Sequence, residues 1–323
     1  MLSTRRSTQP FQAGLFFTAL LWTLALVTMS MAGIELPLVK MIAPQVIIFG
    51  GLTVGFHLIF DQHRGDVWDR MRLRSLSPLM AVKVLLVGAI AWSFILFTSD
   101  FILKLVELAG GTMPSLYNDL LEQPFPLAML AGAILPAIFE ELAFRGYLFG
   151  HLRPLGLRTG IILTGLLFGA MHLSVVRLIP LSLLGMIFAS AVQRTRSLMA
   201  SMLMHFLNNG IVIALTYLKK DPTAALPAAA PTLSSVAISF VLALVLGACM
   251  LTALRWLGPL QDPAGEEEYA HSLAVVAAEA VAAGEARRLK RLSANLFFLG
   301  LLPGLLLYLV FAYGEWSIVF RPH

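Results

Sequence analysis

The chain has 323 residues, 58% of them hydrophobic and only 13% charged, with a mean hydropathy of +0.83. A soluble domain is about a quarter charged, so a soluble globular enzyme is excluded and a polytopic membrane protein is expected. The net charge of +5 comes from basic residues at the ends of apolar runs and implies no nucleic-acid partner, while the single cysteine, Cys249, rules out an intrachain disulfide and a cysteine-based zinc site.

In chain order, Arg5 and Arg6 precede an apolar run at 11–33 that lacks an A-x-A-like end, so it reads as an uncleaved first span. Further runs near the length needed to cross a bilayer follow at 42–60, 79–98, 124–144, 160–175, 178–193, 198–217, 233–256 and 294–313. The fifth and sixth are short and divided by Arg177 and Pro180, so one of them reads as tilted or re-entrant and the count as eight or nine. Phe101 to Leu108 carries Lys104 and Glu107 and reads as an interfacial stretch. Pro222–Pro231 reads as an external loop. Residues 261–293 open with Glu266-Glu267-Glu268 and close with Arg287-Arg288-Leu289-Lys290-Arg291, which suits the dipole of an aqueous amphipathic helix. That helix reads either as resting on anionic headgroups or as a solvated linker.

The expected fold is therefore all-α: a transmembrane helix bundle with an extra aqueous helix near the C-terminus. It divides into N-terminal spans at 1–123, a helical core at 124–217 that holds Glu140, His172, His205 and Asn209, and C-terminal spans at 218–323. Lys and Arg set the orientation. With the N-terminus in the cytoplasm, sixteen of them fall inside and six outside, which puts Glu140 and Glu141 toward the cytoplasmic end of span four. The composition and short loops suggest a bacterial inner membrane. There is no internal repeat and no inverted pair of broken helices to suggest a transporter.

The polar residues inside apolar runs are few. An ionised side chain in a bilayer is costly unless it is paired or faces water, yet span four contains Glu140-Glu141-Leu142-Ala143-Phe144-Arg145. Glu141 and Arg145 are four apart and can pair on one helix face. Glu140 is turned by about 100° from Glu141 and is left for proton transfer, although a structural charge cluster at a helix end would look the same. Span five contains Phe168 and His172 on one face, and span seven contains His205 and Asn209 on one face. Taken singly, each is more readily a core histidine or a helix-stitching polar pair. His57, His63, His151, His271 and His323 fall in loops, span ends or the tail, and none has a ligand-spaced partner.

The ordered set E-E-x-x-x-R, F-x-x-x-H and H-x-x-x-N, each in its own apolar run, resembles the CAAX protease and bacteriocin-processing family. These are intramembrane endopeptidases that include the Ras-converting CAAX endopeptidases. The resemblance covers about residues 125–215, and every motif position matches. It implies an eight-span core and hydrolysis of a peptide bond in a membrane-associated protein or prepeptide. By the same resemblance, Glu140 is the general base toward a water that His172 helps to hold, and His205 and Asn209 donate to the oxyanion. Glu141 and Arg145 would support Glu140, and Phe168 would wall the site.

Glutamate and two histidines also match a catalytic zinc inventory, with Glu140, His172 and His205 as the ligands. There is no H-E-x-x-H, however, and a water held by Glu140 and His172 needs no metal, so no cofactor is the preferred expectation. Two other readings compete: a proton-coupled transporter using Glu140, His172 and His205 as a relay, and a catalytically idle membrane scaffold.

Overall fold

A computed structural model describes residues 2–30, 37–60, 71–112, 122–218, 230–260 and 283–320. His63, His271, His323, most of the 222–231 loop and residues 261–282 of the expected aqueous helix lie outside the described residues. Helix α1 spans Leu2–Ser30. Helix α2 runs as Pro37–Ala43, a π-helical stretch Pro44–Gly51, and Leu52–Phe60. Next come α3 at Pro78–Leu108, α4 at Phe125–Leu155 and α5 at Leu157–Met171. They are followed by α6 at Val175–Thr195, α7 at Leu198–Leu218, α8 at Leu233–Trp256 and α9 at Ala283–Val319. The described residues contain no strand. Eight of the helices are long and apolar enough to cross a membrane. The chain is a multi-pass, all-helical membrane protein.

Several boundaries differ from the sequence expectation, each for a physical reason. Helix α5 has 15 residues and is about 23 Å long, short of the ~30 Å hydrocarbon core. It ends at Met171, so His172 sits in the turn after the helix and not inside a span. Span three and the supposed interfacial stretch form one helix of 31 residues. Along that stretch the Lys104 ammonium is paired and partly exposed. It bonds Asp100 one turn back at 2.6 Å and Ser239 of α8 at 2.9 Å. Span four does not end at Phe144 but continues to Leu155, which puts Glu140 and Glu141 near the midpoint of α4 and away from both of its ends. The basic run at 287–291 is helical and continuous with the last span, in the first turns of α9.

Two hydrophobic cores organise the bundle. One joins α1, α2, the second half of α4, α5 and α9 through Phe16, Phe17, Ile48, Phe144, Phe168 and Phe297. The other joins α3, α6, α7 and α8 through Val84, Val87, Phe188, Met204 and Met250. Helices without a hydrophobic force between them in lipid associate through small residues that let backbones approach. A Cβ on Gly169 of α5 would stand 2.3 Å from Ser182 Oγ and 2.6 Å from the Leu178 carbonyl of α6. Gly169→Ala is therefore expected to destabilise the protein by about 1–3 kcal/mol, the usual cost of overpacking, seen as a lower Tm in detergent. In α1, the Thr18 hydroxyl donates to the Gly300 carbonyl of α9 at 2.8 Å, which fastens the first helix to the last.

At one end of the bundle the arginine-bearing turns meet. Leu198 N–H donates to the Arg72 carbonyl at 2.9 Å, Arg72 to Gln193 at 2.6 Å, Ser197 to the Arg74 carbonyl, and Arg194 to the Gly258 carbonyl at 2.5 Å. Many large apolar side chains of α8 and α9 face outward, among them Leu251, Leu299, Leu309 and Val310, as a lipid-facing surface requires.

Candidate active site

The hairpin of α4 and α5 puts the first two polar motifs at the same level. It turns at Gly156, whose φ of +104° is a conformation that favours glycine. Glu140 and His172 lie sixteen residues to either side of that glycine. Helices running back from a shared turn bring such positions to equal height, and His172 is within electrostatic range of both Glu140 and His205.

Helix α4 is irregular where it carries the acidic pair. Its first π-helical stretch, Leu130–Ile134, has the Leu135 N–H donating to the carbonyl of Leu130, five residues back. Pro136 follows and has no N–H to give to Gly132, four residues before it. The orphaned Gly132 carbonyl accepts instead from Asn209 Nδ2 of α7 at 3.0 Å. Asn209 Oδ1 in turn accepts from Asn208 at 3.0 Å. Asn209 thus ties α7 to a break in α4, a role that leaves one of its amide hydrogens uncommitted. A second π-helical stretch, Leu142–Leu148, begins directly after the glutamates. Such bulges recur at functional sites.

Glu141 and Arg145 do pair. Their side chains are completely buried, with Arg145 Nη1 at 2.6 Å from Glu141 Oε1. The other guanidinium nitrogen donates to the Gly185 carbonyl of α6 at 3.0 Å. The cation lies 4.4 Å from the ring centre of Phe168, 5.3 Å from Phe188 and 5.9 Å from Phe144. Arginine suits this setting because its flat, weakly hydrated charge stacks on aromatic faces. Phe168 belongs to one core and Phe188 to the other, so Arg145 sits at their seam.

Glu141 has a second partner that its sequence position does not reveal. His205 Nδ1 lies 2.9 Å from the same Oε1, while His205 Nε2 is 4.0 Å from Glu140 Oε2. An ionised Glu141 only accepts hydrogen bonds, so it assigns the hydrogen to Nδ1. Nε2 then points at Glu140 beyond direct bonding distance. Phe168 and Phe188 pack on the imidazole with ring centres 5.9 and 5.4 Å away. His172 is fixed in a parallel way: its Nδ1 lies 2.8 Å from the Phe168 carbonyl, which accepts the Nδ1 hydrogen. His172 is exposed at its rim, and its Nε2 is left as an acceptor.

Glu140 is 6% exposed, and it too has a partner outside the motifs. Gln45, in the π-helical stretch of α2, donates from Nε2 to Glu140 Oε1 at 2.8 Å. The only trace of it in the sequence is a polar residue behind Pro44 in an apolar run. The two adjacent carboxylates therefore have different surroundings. Glu141 is held by a cation and a histidine, whereas Glu140 is held by a neutral amide on one oxygen and has the other directed toward His205.

The donors do not fit zinc as they stand. Among the described residues no three of His, Cys, Asp and Glu gather as ligands. The 4.0 Å gap between Glu140 and His205 exceeds the ~3.3 Å separation of two ligands about 2.0 Å from a tetrahedral ion. Of the remaining histidines, His57 lies within α2, and His151 is buried in α4 with its ring stacked on Tyr147 and its Nδ1 at 2.9 Å from the Tyr147 carbonyl.

Residues 122–211 match the family model described as Rce1-like, type II CAAX prenyl endopeptidase Rce1-like. The match spans every motif position from Glu140 to Asn209 and leaves Gln45 outside. No curated protein and no solved structure matches the chain.

Proposed function

We propose that this membrane protein, which carries a CAAX-protease-family segment at residues 122–211, is an endopeptidase that cleaves a membrane-associated protein or prepeptide with Glu140 as its base. The observation that carries the reading is the unequal environment of the two glutamates: Glu141 is committed to Arg145 and His205, while Glu140 Oε2 is directed at His205 across 4.0 Å. In this reading a water gives one proton to Glu140 Oε2 while its other hydrogen rests on His172 Nε2. The water oxygen bonds to the scissile carbonyl carbon, whose oxygen takes up the negative charge. The C–N bond then breaks as Glu140 returns the proton to the leaving amine. General-base assistance of this kind contributes about 10²–10⁴-fold.

The oxyanion is stabilised by His205 Nε2 and by the uncommitted amide hydrogen of Asn209. With its Nδ1 hydrogen on Glu141, His205 donates from Nε2 only as an imidazolium, and the Glu141 carboxylate stabilises that cation. Arg145 keeps Glu141 ionised and in place. Phe168 walls the site and supplies the carbonyl that orients His172. No step passes through a metal.

The arginine-bearing end of the bundle faces the cytoplasm by the positive-inside rule, with the N-terminus on the same side, in a bacterial inner membrane. The proton-relay and scaffold readings gain nothing from the family match. Comparison of membrane proteomes from cells holding the wild-type protein or Glu140→Gln tests the proposal directly. Intact substrate is expected to accumulate only with the variant. Identical proteomes, together with proton flux in proteoliposomes, would replace hydrolysis with transport.

A further inference from the structure

Helix α9 lies outside the matched segment, and beyond Arg291 it carries one charged residue, Glu315. An ionised carboxylate there is costly unless it is satisfied. Both of its oxygens are in fact engaged by the turn that follows His172. Ser174 Oγ donates to Oε1 at 2.6 Å, and the Val175 N–H donates to Oε2 at 2.5 Å. Val175 is the first residue of α6, so its N–H has no partner within the helix, and the helix dipole favours a negative charge at that point. Ser174 also caps α6, its hydroxyl accepting from the Arg177 N–H at 3.2 Å.

The turn held in this way is one that needs holding. Leu173, between His172 and Ser174, stands at φ +53°, a left-handed conformation that a branched aliphatic residue adopts only when its surroundings impose it. On the α9 side the turn faces an apolar groove lined by Leu173, Val310, Phe311, Gly314 and Glu315. The carboxylate spans that groove. The end of α9 is itself anchored, because the Thr112 N–H beyond α3 donates to the Val319 carbonyl at 3.0 Å.

We infer that Glu315 is a positioning residue: from the ninth helix it clamps the α5–α6 turn and so sets where His172 stands relative to Glu140. The consequence for catalysis rests on the endopeptidase reading, but the clamp itself does not. It gives the last helix a part in a site whose recognised motifs all lie within α4 to α7.

The test uses the full-length protein in lipid bilayers, with histidine labelled by ¹³C and ¹⁵N. In Glu315→Leu, which removes the charge and leaves an apolar membrane helix, the ring signals of His172 are expected to shift and broaden. Those of His205, held separately by Glu141, should stay unchanged. Glu315→Gln should fall between, since its amide oxygen still accepts from Val175. In parallel, cleavage of a farnesylated peptide ending in a CAAX sequence is followed for wild type, Glu140→Gln and both Glu315 variants. In Glu315→Leu, kcat should fall about 10²-fold, the scale of a misplaced catalytic group, with KM within about twofold. An unmoved His172 ring, or His172 and His205 signals that change together, overturns the clamp. A His172 ring that moves alone while the wild type leaves the peptide intact upholds the clamp and removes the endopeptidase reading for that substrate.

Discussion

Glu140→Gln is expected to lower proteolysis by about 10³-fold, within the range of a lost general base, while the protein stays folded and inserted. The substituted amide keeps the shape of the carboxyl, and its oxygen still accepts from Gln45, so the bond between α2 and α4 survives. Only the ability to take a proton is removed. Gln45→Leu is the informative contrast. It leaves the base and deletes the bond that aims it, so a loss of about tenfold is expected, close to one ordinary hydrogen bond of ~1.4 kcal/mol. Single-turnover cleavage by purified protein measures both. If Glu140→Gln retained more than about a tenth of wild-type turnover, the base would have to be sought elsewhere.

Arg145→Met is expected to destabilise the protein by about 3–5 kcal/mol, because breaking a buried ion pair strands the remaining charge. Glu141 has no access to water, and its other partner, His205, would become the only cation available. Loss of folded yield and a lowered Tm in detergent are the readouts. Adding Glu141→Leu removes the stranded charge, and the double variant should recover most of the stability, as buried pairs replaced by apolar residues commonly do. Activity should not return with it. His205 would then lack the carboxylate that fixes its Nδ1 hydrogen and stabilises its cationic form, so a stable but inactive double variant is the expected result. A double variant that cleaves at the wild-type rate would reduce Glu141 and Arg145 to a structural cluster.

These two predictions separate roles that adjacent residues share in the sequence. The pairing of Glu141 with Arg145 can be read from spacing alone, since residues four apart on a helix face each other. That His205 joins the same oxygen cannot, because sixty-four positions separate the partners and the packing of α7 on α4 brings them together. Asn209 shows the same limit in another form. Its spacing from His205 puts both on one face, but its bond to the Gly132 carbonyl depends on Pro136 having opened that carbonyl in a different helix. The clue was in the chain, four residues after Gly132, and becomes meaningful only once α7 lies alongside.

The helix boundaries taught a related lesson. Lys104 reads in the sequence as the mark of an interface, and in the structure it is paired with Asp100 one turn back and with Ser239 of a neighbouring helix. Charge within an apolar run therefore has two readings, a span that ends or a partner on a neighbouring helix. Hydropathy cannot choose between them, because it sums along one chain segment and carries no information about the next.

Composition and period were enough to establish an all-helical membrane protein, since the backbone in lipid must satisfy its own hydrogen bonds and apolar length gives the spans. The motifs were enough to show a resemblance to one family, matched over residues 122–211, since each is local in the chain. The second partner of Glu141, the nitrogen of His205 that carries the hydrogen, and the parts of Gln45 and Glu315 are different. They follow from contacts between helices distant in sequence, where a burial pattern records that a residue is inside but not what it touches.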